Sequence, residues 1–184
     1  MDRYITAMQD RYLLPSLDLI EQVFSEWDGP EEGRKVRQLV EEIRSKRYYL
    51  PPLELLMMNS PEEIIGYAMF SRFSIEERYE DELLILTPVA VRTDMQRKGI
   101  SRELIEYGFV KAREMGYQAV MVEGNPRNYN PRGFETSADH GIVAGPGIHL
   151  PHISCLMVKE LVPGALGHIH GTVDYAMYEA LQGE

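Results

Sequence analysis

The chain has 184 residues, enough for one domain with a full hydrophobic core and short for two. Its 44% hydrophobic and 26% charged residues make an ordinary globular composition, with neither a bilayer-long apolar run nor a secretory h-region in "MDRYITAMQDRYLL". A formal charge of -10 argues against a nucleic-acid partner, which needs Lys and Arg to neutralise phosphates, and a single cysteine, Cys155, excludes an internal disulfide framework.

The expectation is one cytoplasmic domain over residues 1–184, with neither a membrane nor a nucleic acid as partner. Ser16 is placed to cap a first helix carrying Leu17, Ile20, Phe24 and Trp27, which Asp28-Gly29-Pro30 stops. Val36, Leu39, Val40 and Ile43 mark a second helix at the i, i+3, i+4, i+7 spacing of a buried stripe. The basic run Arg44, Lys46, Arg47 suits that helix's C-terminal end. "PLELLMMNS" and "IIGYAMFSRFSI" predict two strands around the turn "NSPEE", followed by a charged loop, "EERYEDE". Leu83–Val91, "LLILTPVAV", is a strand with Pro88 in its middle.

A helix over Ser101–Gly116 then buries Leu104, Ile105, Gly108 and Ala112. "QAVMVEG" is a short buried strand, and "NPRNYNPRGF" a loop with one helical turn ending at Gly133. "GIVAGPG" is a turn-rich connection, His152–Leu161 a later strand, and "VDYAMYEAL" a terminal strand with a short helical stretch. This order predicts a mixed α/β domain with helices on both faces of the sheet.

Pro88 cannot donate a ladder hydrogen bond, so it implies an edge or a bulge. The strand is too apolar for an exposed edge, which leaves a break between two central strands and frees backbone groups at Val89 and Val91. Such a break is either a structural bulge alone or a gap where a ligand's amides pair as a strand would. "DMQRKGIS" follows, carrying Gln96, Arg97, Lys98 and Gly99 into a helix whose first N–H groups are unpaired. A glycine there lets the backbone approach an anion closely. The spacing is neither a Walker loop nor GxGxxG, and a plain turn is the alternative.

"LTPVAVRTDMQRKGISRELIEYGFVKAREMGY" resembles the acetyl-CoA-binding segment of the GNAT superfamily of N-acetyltransferases. There a splayed strand ending in apolar-x-Val precedes Gln/Arg-x-x-Gly-x-Gly/Ala at the start of a helix. Here those six are Gln96, Arg97, Lys98, Gly99, Ile100 and Ser101, with Ser101 standing where the family prefers Gly or Ala. The family's Tyr four residues before Gly-Phe matches Tyr129 before Gly133 and Phe134, although Pro131 is expected to shorten the helix between them. "MVKELVPGALGHIHGTVDY" is similar to a subgroup of GNAT acetyltransferases.

The resemblance implies a mostly antiparallel mixed sheet with splayed central strands, acetyl-CoA as cosubstrate and no metal. It implies cofactor binding by Val89, Ala90 and Val91 and by the six residues from Gln96 to Ser101, with Tyr129 as the acid for the departing thiolate. The acceptor would be the primary amine of a small molecule or a peptide N-terminus. A carboxylate must relay the amine's proton; Glu123 at the end of the strand beside the cleft is the first choice, followed by Glu82 and Glu54.

Two rival readings exist. One is a non-catalytic CoA-binding sensor or partner-binding module. The other is a metal-dependent hydrolase, because a strand would point His168 and His170 to one face; solvated loop histidines are the bland alternative. Cys155 is expected to be an inert core thiol, and Trp27 with Tyr48 and Tyr49 either to wall the acceptor pocket or to pack in the core. Oligomeric state is left open, a homodimer included.

Overall fold

A computed structural model describes residues 2–182. A short strand, β1 (Tyr4–Ala7), precedes the helices α1 (Leu13–Asp28) and α2 (Pro30–Arg44). Leu17, Ile20 and Val23 on α1, and Val36, Leu39, Val40 and Ile43 on α2, are buried because they recur at helical spacing along one stripe. The helices meet at Gly29, as Asp28-Gly29-Pro30 predicts.

The start of α1 differs from expectation. Tyr12 holds the cap position, and Ser16 lies buried inside the helix, donating to the Leu13 carbonyl at 3.0 Å and accepting from Arg44 Nη2 at 2.8 Å. The basic run does lie at the C-terminal end of α2, with Arg44 in the last turn, but its side chains turn to carboxylates. Arg44 pairs with Glu54 at 2.8 Å, Lys46 with Glu42 at 2.7 Å and Arg47 with Glu80 at 2.9 Å. Each cation reaches a carboxylate, and a full charge opposite is a stronger partner than a helix dipole.

The remaining elements are β2 (Glu54–Ser60), β3 (Glu63–Arg72), β4 (Leu83–Val91), α3 (Ile100–Glu114), β5 (Ala119–Glu123), α4 (Pro126–Tyr129), β6 (Glu135–Thr136), β7 (Ile142–Ala144), β8 (Leu156–Glu160) and β9 (Gly171–Val173). Within the described residues a seven-stranded sheet runs β1-β2-β3-β4-β5-β8-β6. Only the β4–β5 neighbours are parallel, and α3 is the crossover that such a pair requires. Helices α1 and α2 cover one face with Leu56, Tyr67, Ile85 and Met121; α3 covers the other with Leu55, Phe70, Leu86 and Val122. No helix among the described residues is long and apolar enough to cross a membrane.

Several short elements depart from the sequence reading. β1 carries no alternation long enough to announce it. Part of "GIVAGPG" is the strand β7, which pairs in parallel with β9 in a separate two-stranded sheet. Ile153–Cys155 forms a tight helical turn before β8, started by the Ser154 N–H donating to His152 Nδ1 at 3.2 Å. Cys155 is therefore partly exposed rather than a core thiol. Beyond β9 the chain lies against α2, where the Glu42 carboxylate accepts from the N–H groups of Glu179 (2.7 Å) and Ala180 (2.8 Å).

At Pro88 the sheet changes phase. Between the pairs Phe70–Leu86 and Ala68–Val89, β4 carries one more residue than β3, which is a β-bulge. Before it, Leu83 and Ile85 face α1 and α2 while Leu84 and Leu86 face α3; after it, Val89 and Val91 face α3 and Ala90 the other side. A one-residue insertion reverses every later side chain because the strand period is two. The β4–β5 ladder ends at Ile85–Met121, although both strands continue. Past the proline the two strands part.

Candidate active site

The gap between β4 and β5 opens on both faces of the sheet. On the α3 side lies a cleft of about 460 Å³, lined by Val89, Val91, Met95, Gln96, Arg97, Gly99, Ile100, Ser101, Tyr129 and Arg132, with Trp27 at its margin. On the other side, a cleft of about 320 Å³ is bounded by Lys35, Ile85, Thr87, Glu123, Ile148, His149, Tyr175 and Leu181. Thr87 and Val89 flank the bulge, so its phase change sends their side chains to different clefts.

The strand edge in the first cleft carries available backbone. Arg92 N–H donates to Ile65 O at 3.0 Å, so β4 turns the groups of Arg92 toward β3. Alternation along an antiparallel ladder then places the groups of Ala90 on the same side and those of Val89 and Val91 toward the gap. Gln96 Nε2 donates to the Val91 carbonyl at 3.2 Å, tying the turn to the strand end. Upstream, Arg92 holds the approach to the turn by pairing with Asp94 (2.6 Å) and Glu63 (2.7 Å).

Arg97 has φ +62° and Gly99 φ +77°, with Lys98 between them at negative φ. Alternating backbone handedness turns successive N–H groups to one side, forming an anion cradle, and the unpaired amides of the first α3 turn adjoin it. Gly99 takes its left-handed conformation without steric cost, and Arg97 takes it against its own preference. Arg132 adds a second indication: its Nε is buried with no hydrogen-bond partner among the described residues. A buried cation edge without an acceptor suits an anionic ligand. The residues on this wall fit a phosphate-bearing molecule with an amide-containing arm.

Of the sequence-derived cofactor residues, Val89, Val91, Gln96, Arg97, Gly99, Ile100 and Ser101 line this cleft. Ala90 and Lys98 do not. Ala90 is buried on the opposite face, and Lys98 points its side chain at Met95 Sδ (3.8 Å).

Tyr129 ends α4, where Asn125 accepts the Arg127 N–H at 3.0 Å and starts the turn. Pro131 sits in the tight turn that follows, so the helix is only four residues long. The Tyr129 ring packs edge-on against Phe134, centroids 5.7 Å apart. Burial raises its pKa above 10.0, partly offset by the Arg132 charge. Glu123 lies on the far side of the gap. Its Oε1 accepts from Tyr175 Oη at 2.7 Å, and burial together with this carboxylate keeps the tyrosine firmly protonated.

The other carboxylates are elsewhere. Glu54 is fully buried under α2, bonded to Arg44, to Tyr49 Oη (2.5 Å) and to Tyr67 Oη. Glu82 precedes β4 at the opposite end from the gap and accepts from His168 Nε2 at 3.2 Å. Tyr48 packs on Tyr178, so neither Tyr48 nor Tyr49 walls the Glu123 cleft. His168 and His170 precede β9 and do not share a strand face; among the described residues no three His, Cys, Asp or Glu group around a metal position. Lys35, Thr87, His149 and Tyr175 escaped the sequence reading because they come from separate elements with no common spacing. Only Pro88, the neighbour of Thr87, drew the sequence reading near any of them.

The two central parallel strands part between an anion-ready turn and a carboxylate-bearing cleft, as the resemblance to acetyl-CoA-dependent acetyltransferases implies. The chain belongs to the acetyltransferase (GNAT) family, whose model matches residues 17–134. The uncharacterized N-acetyltransferase YhbS of Escherichia coli is 30% identical over 140 residues, covering 75% of this chain and 79% of that protein. The crystal structure of YhbS in complex with CoA superposes with a TM-score of 0.80 at 24% identity, covering 92% of this chain and 87% of that one. A GNAT family acetyltransferase from Brucella melitensis in complex with acetyl-CoA gives a TM-score of 0.66 at 18% identity, covering 88% and 90%.

Proposed function

We propose that this GNAT acetyltransferase moves an acetyl group from acetyl-CoA directly to a primary amine of a small molecule or an N-terminal residue. The observation that carries the reading is the two-sided gap: a phosphate-ready turn on one face of the sheet and Glu123 with Tyr175 on the other. Together the two clefts draw on residues from Trp27 to Leu181, which supports reading the chain as a single domain. Acetyl-CoA supplies an acyl carbon activated as a thioester.

The N–H groups of residues 97–101 would hold its diphosphate, with Arg132 as an additional charge. The backbone groups of Val89 and the N–H of Val91, on the edge facing the gap, would pair with the amides of the pantetheine arm. An acceptor with a lysine-like pKa of about 10.4 gives up its proton at pH 7 at a cost of about 4–5 kcal/mol. Glu123, with one oxygen held by Tyr175, would take that proton directly or through water. Tyr129, kept protonated by burial, offers its hydroxyl proton to the departing thiolate.

The test is calorimetric titration with CoA, followed by a panel of small amines and short peptides with acetyl-CoA, monitoring released thiol. Absence of CoA binding ends the reading. Binding with no acetylation of any amine favours a non-catalytic CoA-binding module.

A further inference from the structure

We infer that Arg3, ahead of β1 and outside the residues matched by the family model, is a positioning residue for the diphosphate-binding turn. The inference rests on the reading of that turn given above. Arg3 Nη2 donates to the Lys98 carbonyl at 2.7 Å, and the same guanidinium pairs with both oxygens of Glu103, at 2.6 Å and 3.3 Å. One rigid fork thus joins the N-terminal segment to the loop and to the first turn of α3.

Two consequences follow from this geometry. In a planar trans peptide the carbonyl and the next N–H point in opposite directions. Arg3 draws the Lys98 carbonyl to its own side, which sends the Gly99 N–H the other way, toward the cleft that Gly99 lines. Without that bond the peptide is free to rotate, and a carbonyl turned inward would oppose an anion. Glu103 is the second matter. A carboxylate in the first turn suits the helix dipole, yet it repels a diphosphate bound at the same end. Arg3 neutralises it, with its Nη2 lying 3.8 Å from where a Cβ on Gly99 would sit.

Titration calorimetry with CoA on the parent, Arg3→Gln and Glu103→Gln separates this role from a purely structural tie. Arg3→Gln should weaken CoA binding about tenfold, with a melting temperature close to the parent's. Glu103→Gln removes the repulsion and leaves Arg3 on the Lys98 carbonyl, so it should bind CoA as tightly as the parent or more tightly. Equal losses in both variants would mean that the ion pair merely fastens the N-terminus, and the inference would be overturned. Unchanged binding in Arg3→Gln also overturns it. If Arg3→Gln does not fold, Arg3→Lys is titrated in its place; it keeps the charge and loses the fork, and a loss of about threefold is expected, with parent-like affinity counting against the inference. A parent chain that does not bind CoA overturns both this inference and the function proposed above.

Discussion

A Cβ on Gly124 would lie 2.6 Å from Cε2 of Tyr129, so the ring of the proposed acid rests on the backbone leaving β5. That backbone is pinned from behind, because Gly124 N–H donates to the Cys155 carbonyl at 2.9 Å. The ring must therefore move if a methyl group is added. Gly124→Ala should lower kcat by about 10–100-fold through misplacement of Tyr129. CoA affinity, measured by calorimetry, should change far less.

Tyr129→Phe removes the proton and keeps the packing on Phe134. The expected result is a fall in kcat of about 100-fold with CoA affinity within about twofold of the parent. Unchanged turnover would remove Tyr129 from the mechanism.

Glu123→Gln should reduce turnover by about 100-fold near neutral pH. The deficit should shrink as pH rises toward the acceptor's pKa, because a free amine needs no relay. A pH–rate profile of both proteins reads this directly; a pH-independent deficit would argue for a binding role instead.

Glu54 is fully buried and pairs with the half-buried Arg44, while Tyr49 and Tyr67 complete its shell. Arg44→Met strands the carboxylate in the core, at a cost of about 3–5 kcal/mol. Thermal denaturation should show a midpoint lower by roughly 10 °C.

Glu42 links acid pH to the C-terminal segment. Burial alone would raise its pKa, but the Lys46 ammonium and the N–H groups of Ala180 and Glu179 outweigh it and hold the group below 4.5. A lowered folded pKa contributes stability that is complete above the unfolded value and is lost as pH falls through the folded one. Below about pH 4.5 the segment around Glu179 and Ala180 should therefore loosen. Hydrogen exchange across that range measures it, and Glu42→Gln should flatten the pH dependence.

Much of the cleft on the α3 side is legible in the sequence. Apolar periodicity marked α2, α3 and β5, Pro88 marked the break, and Gln96 to Ser101 marked the turn, because each is a local pattern whose physics is satisfied within a dozen residues. The family resemblance added Tyr129, and Pro131 correctly foretold a shortened helix. Legibility failed where partners lie far apart in the chain. Its neighbours in the chain suit Ser16 to a cap, but Arg44 from α2 bonds it inside the helix; Glu54 is an acidic residue in a local pattern, but Arg44, Tyr49 and Tyr67 enclose it.

The sequence by itself determined which segments bury their faces and where one strand must break its ladder, since propensity and side-chain period act over neighbouring residues. Only the tertiary structure decided that the break reverses the strand's faces between two clefts, that Tyr175 meets Glu123, and that Arg3 reaches Lys98. Those contacts are closed by packing between distant elements, and no local pattern in the chain encodes which charge ends beside which backbone group.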